Sequence, residues 1–452
     1  MKNYDAIIIG AGPAGIISGV IAKKQYPDKS VLMFREEEKG LVPCGIPYIF
    51  HNLNSVEKNV MMPKAFTNLG GEVITEAVTE INTDEKTLTT ASGEKYGFGK
   101  LILATGSQAI VASFIDGYDL ENVFYIKKSY TYISKLFNTL QDKKNIVIVG
   151  GGFIGAEVAE QLSFNPDKKV TLVETQKYCF GKAFSEDLSK IATEQLSKTN
   201  SNVHTSTTVE QIVATDRYVS SVKLSDGTVI DADAVILAVG YRPNTSLAKD
   251  AGLSLNSQGA IVVDNYKQTS VQDIYAVGDC SQTLGFLTGR VDCVMLASTA
   301  TSEARVLGYN LFSLKIKNRF CATIGIFSTE INGLTMASAG LNDKNGMEND
   351  IDFITAEFTA VDRHPGGIQD ASPLTAKLFV SPSDGSILGG EVWGGKSAGE
   401  IINIIGLAIQ KNVTINELIS FQIGTHPLLT TAPTMPVIIK AAEIALNKIA
   451  GK

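Results

Sequence analysis

Two apolar runs of strand length each end in a cluster of glycines. Tyr4-Asp5-Ala6-Ile7-Ile8-Ile9 leads into Gly10-Ala11-Gly12-Pro13-Ala14-Gly15, and Asn145-Ile146-Val147-Ile148-Val149 leads into Gly150-Gly151-Gly152-Phe153-Ile154-Gly155. Each run predicts a buried strand, and the stretch from Ala156 to Leu162 predicts the helix after the second cluster. In such a unit the first glycine permits a tight turn, the second lets backbone approach a pyrophosphate, and the third lets the helix pack closely. The anion then meets the helix N-terminus. One such fingerprint is a weak signal; two in strand-turn-helix context predict two dinucleotides bound together, as in a flavin enzyme supplied by a nicotinamide.

The pattern continues in the same manner along the chain. Residues 71–90 alternate as β-structure, and Lys100 to Ser107 forms a buried strand closed by a glycine turn. A second α/β unit runs from Asn145 to about Gly240, with a hairpin signal at Ser225-Asp226-Gly227 and a last buried strand at Ala234 to Gly240. Asp273 to Asp279 then places a carboxylate just past a strand. The C-terminal third is polar and alternating, with a turn at Asp384-Gly385 and helical patterns over 397–411 and 436–449. The two glycine units amount to a duplicated fold unit without a short repeat period. The fold class expected is α/β, with two Rossmann-like dinucleotide-binding domains and an α+β C-terminal domain.

An acid that holds an adenosine ribose belongs at the end of the next strand, about 20 residues on. In the second unit Lys169 to Val173 ends at Glu174, placed to accept from a 2′-hydroxyl and to repel a 2′-phosphate, so NADH is favoured over NADPH, with Lys177 nearby. In the first unit Val31 to Phe34 ends at Arg35, and Glu36 takes the acidic position one residue late.

Composition narrows the classes further. The chain has 452 residues, 44% of them hydrophobic, enough for about three domains. Its net charge is −7, without basic blocks, so nucleic acid is not an expected partner. Lys2 with the apolar stretch to Ala22 superficially looks like a secretory signal, but the fingerprint glycines account for it, and no run long enough to predict a membrane span follows. The five cysteines, Cys44, Cys179, Cys280, Cys293 and Cys321, are odd in number and form no C-x-x-C pair. They read as thiols of a cytoplasmic protein rather than a disulfide framework or metal site.

Taken in order, GAGPAG, PCGIPY, LILATGS, GGGFIGAE, ILAVGYRPNT, IYAVGDC and GGKSAGE resemble the pyridine nucleotide-disulfide oxidoreductase superfamily over essentially the whole chain. The resemblance is to the single-cysteine branch of CoA-disulfide reductases, NADH oxidases and NADH-dependent sulfur or persulfide reductases. It implies a discontinuous FAD domain (1–112 and 241–318), an inserted NAD(P)H domain (113–240) and a C-terminal dimerisation domain (319–452) of a homodimer. It implies that FAD is bound by Gly10, Gly12, Pro13, Ala14, Gly15, Arg35, Glu36, Pro43, Val78, Ala104, Thr105, Gly106, Gly278 and Asp279. NAD(P)H is implied at Gly150, Gly152, Phe153, Ile154, Gly155, Glu157, Glu174 and Gly240, with Glu157 near the nicotinamide; the alternative for Glu157 is an ordinary helix-surface carboxylate.

Cys44 is the expected centre of the chemistry. Pro47 suits the first turn of a helix, which would set Cys44 beside that helix's positive end and lower its pKa. Two-cysteine reductases carry C-x-x-x-x-C, but Lys39 stands five residues before Cys44. A lone cysteine must cycle through a mixed disulfide, a persulfide or a sulfenic acid. Oxidases of the branch usually place a histidine in the first fingerprint, where Pro13 and Ala14 stand here, so oxygen chemistry is disfavoured. Gly424-Thr425-His426-Pro427 resembles the C-terminal His-Pro of the two-cysteine reductases, with Thr431 where their orienting glutamate stands; His426 is thus the candidate acid-base residue, acting on the second subunit. His51, His204 and His364 read as structural or solvated. The expectation is an FAD-dependent, NADH-oxidising reductase of a small disulfide, polysulfide or persulfide, with CoA or its disulfide as a candidate substrate. The alternatives are an NADH oxidase and a reductase of a rubredoxin-like carrier.

Overall fold

The computed structural model describes residues 1–451 apart from 293, 319 and 321, so Cys293 and Cys321 lie outside the described residues. Five parallel strands form the first sheet, in the spatial order Glu72–Thr75, Val31–Arg35, Lys2–Ile9, Lys95–Leu103 and Ile274–Ala276. A hairpin of Val78–Asn82 and Thr87–Thr90 adds antiparallel to Lys95–Leu103. Ile7, Ile8, Leu32, Met33, Leu101 and Ile102 are fully buried, as expected of strands covered on both faces. The helix Pro13–Gln25 packs on Ala297–Asn310, so the first and last parts of this layer close on each other.

The second sheet is also parallel, in the order Val123–Tyr125, Ala234–Leu237, Asn145–Val149, Lys169–Val173 and Ser201–His204. Beside it lies an antiparallel meander of Val209–Thr215, Tyr218–Leu224 and Val229–Asp231. Its last turn is Ser225-Asp226-Gly227, where Gly227 takes φ +88° and Asp226 Oδ1 accepts from the Thr228 N–H at 2.9 Å. The chain leaves the first sheet through Ser107–Ala109 and returns through Tyr241–Pro243, and these two segments pair antiparallel. Both crossings therefore run side by side, the outgoing one starting four residues after the carboxyl end of strand Lys95–Leu103.

The third sheet is antiparallel, in the order Phe327–Ile331, Leu334–Gly340, Ile387–Gly394, Pro373–Val380 and Ile354–Val361. Helix Ala398–Gln410 covers its Leu334–Gly340 and Ile387–Gly394 side, and Val437–Ile449 covers Ile354–Val361 and Pro373–Val380. Among the described residues no helix is long and apolar enough to cross a membrane.

Candidate active site

The two glycine turns are built alike, and their glycines divide into two kinds. A Cβ on Gly10 would stand 2.2 Å from the Ala104 oxygen, and one on Gly15 would stand 1.9 Å from the Gly10 oxygen. In the second unit Gly150 would meet the Ala238 oxygen at 2.5 Å and Gly155 the Gly150 oxygen at 1.8 Å. These four are glycine because strand, turn and helix touch there. Gly12 and Gly152 differ: a Cβ on either would find nothing within 4 Å. Each is the N-cap of its helix, Pro13–Gln25 or Phe153–Ser163, and neither helix receives a side-chain cap. Elsewhere Ser129, Ser185, Asn342 and Thr414 supply such caps. Two uncapped N-termini facing open space could each cradle a pyrophosphate, since an anion would satisfy the orphan N–H groups and the dipole together.

Glu174 follows strand Lys169–Val173 and turns back on the second cradle, its Oε2 accepting from the Gly151 N–H at 2.5 Å and its Oε1 from the Gln176 N–H at 2.7 Å. Lys177 pairs with Glu186 at 2.7 Å rather than with this site. In the first unit Arg35 Nε donates to Thr75 Oγ1 at 3.0 Å, and Glu36 is exposed. The carboxylate of that acidic run with a fixed task is Glu37. It accepts from Ser129 Oγ at 2.5 Å and the Tyr130 N–H at 2.6 Å, at the N-terminus of helix Tyr130–Gln141.

Asp279 follows strand Ile274–Ala276 in the short 3-10 turn Gly278–Cys280. Its Oδ2 accepts from Ser107 Oγ and from Lys128 Nζ, both at 2.7 Å, and Lys128 also reaches Ser107 Oγ at 2.6 Å. Behind it the Gly278 N–H donates to Glu303 Oε2 at 3.0 Å, and Glu303 forms a buried ion pair with Lys267 at 2.6 Å. On the facing strand end Ala104 is buried, Thr105 Oγ1 donates to the Asn244 oxygen at 2.6 Å and Gly106 takes φ +69°. Gly240, at φ +112°, stands where the chain returns, Val78 begins its strand half-buried, and Pro43 opens the cysteine turn.

Cys44 does not stand at the head of an α-helix. The segment forms two 3-10 turns, Pro43–Gly45 and Pro47–Phe50. Pro47 has no N–H to donate to the Pro43 oxygen four residues back, so the two turns do not join, and the backbone leaves helical geometry at His51 (φ −144°, ψ −67°); the bonds that form are Ile46 N–H to Pro43 O at 3.3 Å and Ile49 N–H to Ile46 O at 3.2 Å. The expected lowering of the thiol pKa fails with the expected helix. Cys44 is exposed, yet the surrounding protein removes enough water that burial pushes its pKa up, with Glu157 adding to the rise, Lys128 opposing it and Asp279 adding again. Cys179 and Cys280 are fully buried, and burial pushes Cys179 up to about 12.

Glu157 is not a helix-surface carboxylate. It is buried where helix Phe153–Ser163 runs between the Pro47–Phe50 turn and the strand Phe327–Ile331, and Thr329 Oγ1 donates to its Oε1 at 2.8 Å. Burial pushes its pKa up to about 7 against the lowering effect of that hydroxyl. Phe153 is half-buried and meets Phe180, Phe184 and Phe327 edge-on, and Ile154 is half-buried beside it. His426 sits apart, exposed between helices Ile415–Ile419 and Val437–Ile449, its Nδ1 accepting from the Leu428 N–H at 3.2 Å. Sequence patterning missed Lys128, Ser107, Glu37 and Thr329, whose roles arise only from contacts between distant segments.

Residues 4–304 match the pyridine nucleotide-disulphide oxidoreductase family and residues 326–436 match the dimerisation domain of that family. The chain belongs to this family. Among relatives, an NADH oxidase of Methanocaldococcus jannaschii is 29% identical over 99% of this chain and 100% of its own. A CoA-dependent NAD(P)H sulfur oxidoreductase of Pyrococcus abyssi is 30% identical over 80% of this chain and 81% of its own. The solved structure of an NAD-dependent persulfide reductase from A. fulgidus superposes with a TM-score of 0.90 at 28% identity, covering 100% of this chain and 84% of its own. As a pyridine nucleotide-disulphide oxidoreductase the protein is an FAD-dependent enzyme that uses NAD(P)H, and the two open glycine cradles fit two dinucleotides.

Proposed function

We propose that this oxidoreductase reduces a small disulfide, polysulfide or persulfide through Cys44, at the expense of NADH. The observation that carries the reading is the isolation of the thiol among the described residues. Cys179 and Cys280 are sealed in the core, and Lys39, where a two-cysteine enzyme has its second sulfur, is tied to Glu57 at 2.7 Å. A thiol without a resolving mate forms its disulfide with the substrate. The sulfur activities named for the Pyrococcus abyssi and A. fulgidus proteins support this class of substrate; CoA is one candidate carrier of the sulfur.

In this reading FAD occupies the Gly10–Gly15 cradle, with Asp279, Thr105 and Gly106 along its length, and NADH occupies the Gly150–Gly155 cradle with Glu174 on the ribose. The boundaries proposed are 1–112 with 241–318 for FAD, 113–240 for NAD(P)H and 319–452 for dimerisation. When bound there, FAD would supply the two-electron transfer from NADH to sulfur. Cys44 thiolate attacks the substrate S–S bond, one thiol leaves, and the two electrons then break the Cys44 mixed disulfide to release the second; NADH, one proton and RSSR become NAD⁺ and two RSH. A homodimer in the cytoplasm belongs to the proposal. Exposed Phe421, Leu428, Leu429 and Met435 flank His426 and give a second copy an apolar surface to cover, which is the route by which His426 of one copy serves the sulfur site of the other.

Cys44→Ser tests this directly. The variant is expected to keep its yellow flavin and its reduction by NADH while losing turnover of CoA disulfide, cystine and polysulfide; retained turnover overturns the reading. The name of the Methanocaldococcus jannaschii relative favours a second reading, oxygen reduction. Oxygen uptake driven by NADH at the rate of sulfur turnover would select it.

A further inference from the structure

The loop between strand Lys169–Val173 and helix Glu186–Leu196 touches the second glycine turn along its course and the C-terminal sheet at its end. The Phe180 N–H donates to the Gly151 oxygen at 2.8 Å, and a Cβ on Gly151 would stand 2.9 Å from Cys179 Sγ and 3.0 Å from Glu174 Oε2. Phe180 takes φ +59°, left-handed for a residue with a side chain, so its surroundings must hold it there. Its oxygen accepts from the Ala183 and Phe184 N–H groups at 2.8 and 3.1 Å, and its ring packs edge-on against Phe153. At the end of the loop Ser185 donates its N–H to Glu391 Oε1 at 2.6 Å and its hydroxyl to Glu391 Oε2 at 2.5 Å. Glu391 lies opposite Lys377 in the C-terminal sheet, and Lys377 Nζ reaches Asp187, two residues past Ser185, at 3.2 Å. A carboxylate with no exposure is costly to bury. Among the described residues Ser185 supplies the only hydrogen bonds to it.

We infer that Glu391 is a positioning residue for the nicotinamide nucleotide: by latching Ser185 it holds the loop that steadies the second glycine turn. The inference rests on the reading that NADH occupies the Gly150–Gly155 cradle with Glu174 on its ribose. The route is short. Ser185 follows Phe184 directly, the Phe184 N–H holds the Phe180 oxygen, the Phe180 N–H holds the Gly151 oxygen, and Glu174 Oε2 holds the Gly151 N–H at 2.5 Å. Released from Glu391, the turn from Phe180 to Ser185 loses its fixed end, and Phe180 is free to leave its left-handed conformation. Its N–H then turns from the Gly151 oxygen, and the glycine turn loses support on the side of Glu174. These contacts belong to the pyrophosphate and ribose end of the nucleotide, away from the ring that gives up hydride. They therefore govern how tightly NADH binds rather than how fast bound NADH reacts. Glu391 lies in the segment that matches the dimerisation domain, so that segment serves nucleotide binding as well.

The test mixes FAD-loaded protein with NADH under anaerobic conditions, without sulfur substrate, and follows bleaching of the flavin by stopped flow. The dependence on NADH concentration yields a dissociation constant and a limiting rate. Glu391→Gln and, separately, Ser185→Ala should each raise the dissociation constant about 3- to 10-fold, the effect of one net hydrogen bond, with the limiting rate unchanged. The double variant should bind no more weakly than the weaker single one, because both substitutions open the same latch. Thr375→Val removes a hydrogen bond of the same sheet, between the Thr359 and Thr375 hydroxyls at 2.8 Å, without touching the loop, and should leave NADH binding as it is. A wild-type dissociation constant in Glu391→Gln or Ser185→Ala, additive losses in the double variant, or an equal loss in Thr375→Val overturns the inference. If Glu391→Gln does not fold, Ser185→Ala decides alone. Gly152→Ala places a methyl in the cradle itself and separates the two claims. Unchanged NADH binding in Gly152→Ala overturns the cradle reading and this inference with it, whereas weakened binding there beside wild-type binding in the latch variants overturns this inference only.

Discussion

Alanine at Gly12 and alanine at Gly15 should damage the protein in opposite ways. At Gly15 the new methyl would lie 1.9 Å from the Gly10 oxygen, so helix and turn must part by about 1 Å or more. Overpacking of that order costs about 1–3 kcal/mol, and at about 2–4 °C per kcal/mol for domains of 150–250 residues the melting temperature should fall by several degrees. At Gly12 the backbone is extended, with φ −78° and ψ −176°, and the methyl meets nothing within 4 Å. The expected cost there is below about 1 kcal/mol, from the poorer N-cap alone. The methyl does, however, enter the space where the pyrophosphate meets the helix N–H groups. Loss of one charge-assisted hydrogen bond at about 1.5–3 kcal/mol lowers FAD affinity by about 10- to 100-fold. The assay is differential scanning fluorimetry of both apoproteins beside flavin titration by fluorescence quenching. Gly15→Ala should melt early, and Gly12→Ala should melt normally but bind FAD weakly. A Gly12→Ala protein with wild-type FAD affinity, or a Gly15→Ala protein with wild-type melting, refutes the division of the glycines into packing and cradle positions.

Two other outcomes follow from buried and edge carboxylates. Glu174→Ala removes the acid beside Gly151 and should narrow the NADH over NADPH preference by about 10-fold, read as the ratio of kcat/KM values; an unchanged ratio would remove Glu174 from ribose selection. Glu391 is fully buried, accepts from the Ser185 N–H and hydroxyl, and is pushed by burial up to about 7 from an ordinary 4.5. The folded protein therefore binds more protons than the unfolded chain between those values, and Glu391 makes stability fall as pH rises through that window. Glu391→Gln should flatten the fall by about 1.4 kcal/mol per pH unit, measured as urea midpoints at pH 5, 6 and 7; parallel curves for both proteins would contradict the sign.

Much of the architecture was legible because it is written in local spacing. The strands at Tyr4–Ile9 and Asn145–Val149, both glycine turns, the Ser225-Asp226-Gly227 hairpin and the C-terminal helices all follow from apolar runs and punctuation by glycine. At the cysteine turn proline does mark a start, at Pro47, but the turn it opens stays 3-10 and ends at His51, where the backbone leaves helical geometry, and no local signal announces that stop. Glu157 was legible as a residue near the nucleotide helix but not as a buried one, since its cover, Thr329, lies 172 residues away. Lys128 and Glu37 were invisible for the same reason. Each binds a partner far along the chain, Asp279 151 residues from Lys128 and Tyr130 93 residues from Glu37, and no periodicity within either segment encodes that meeting.

The central claim, that electrons leave this enzyme through a disulfide between Cys44 and its substrate, is tested most directly at the sulfur itself. Oxidised, FAD-loaded enzyme is incubated with CoA disulfide, cystine or polysulfide, quenched in acid, and the Cys44 peptide is weighed before and after NADH is added. The account predicts added mass on Cys44 from at least one of these substrates and its removal by one equivalent of NADH. An unmodified Cys44 peptide with every substrate that turns over, or an adduct that NADH leaves in place, would contradict it.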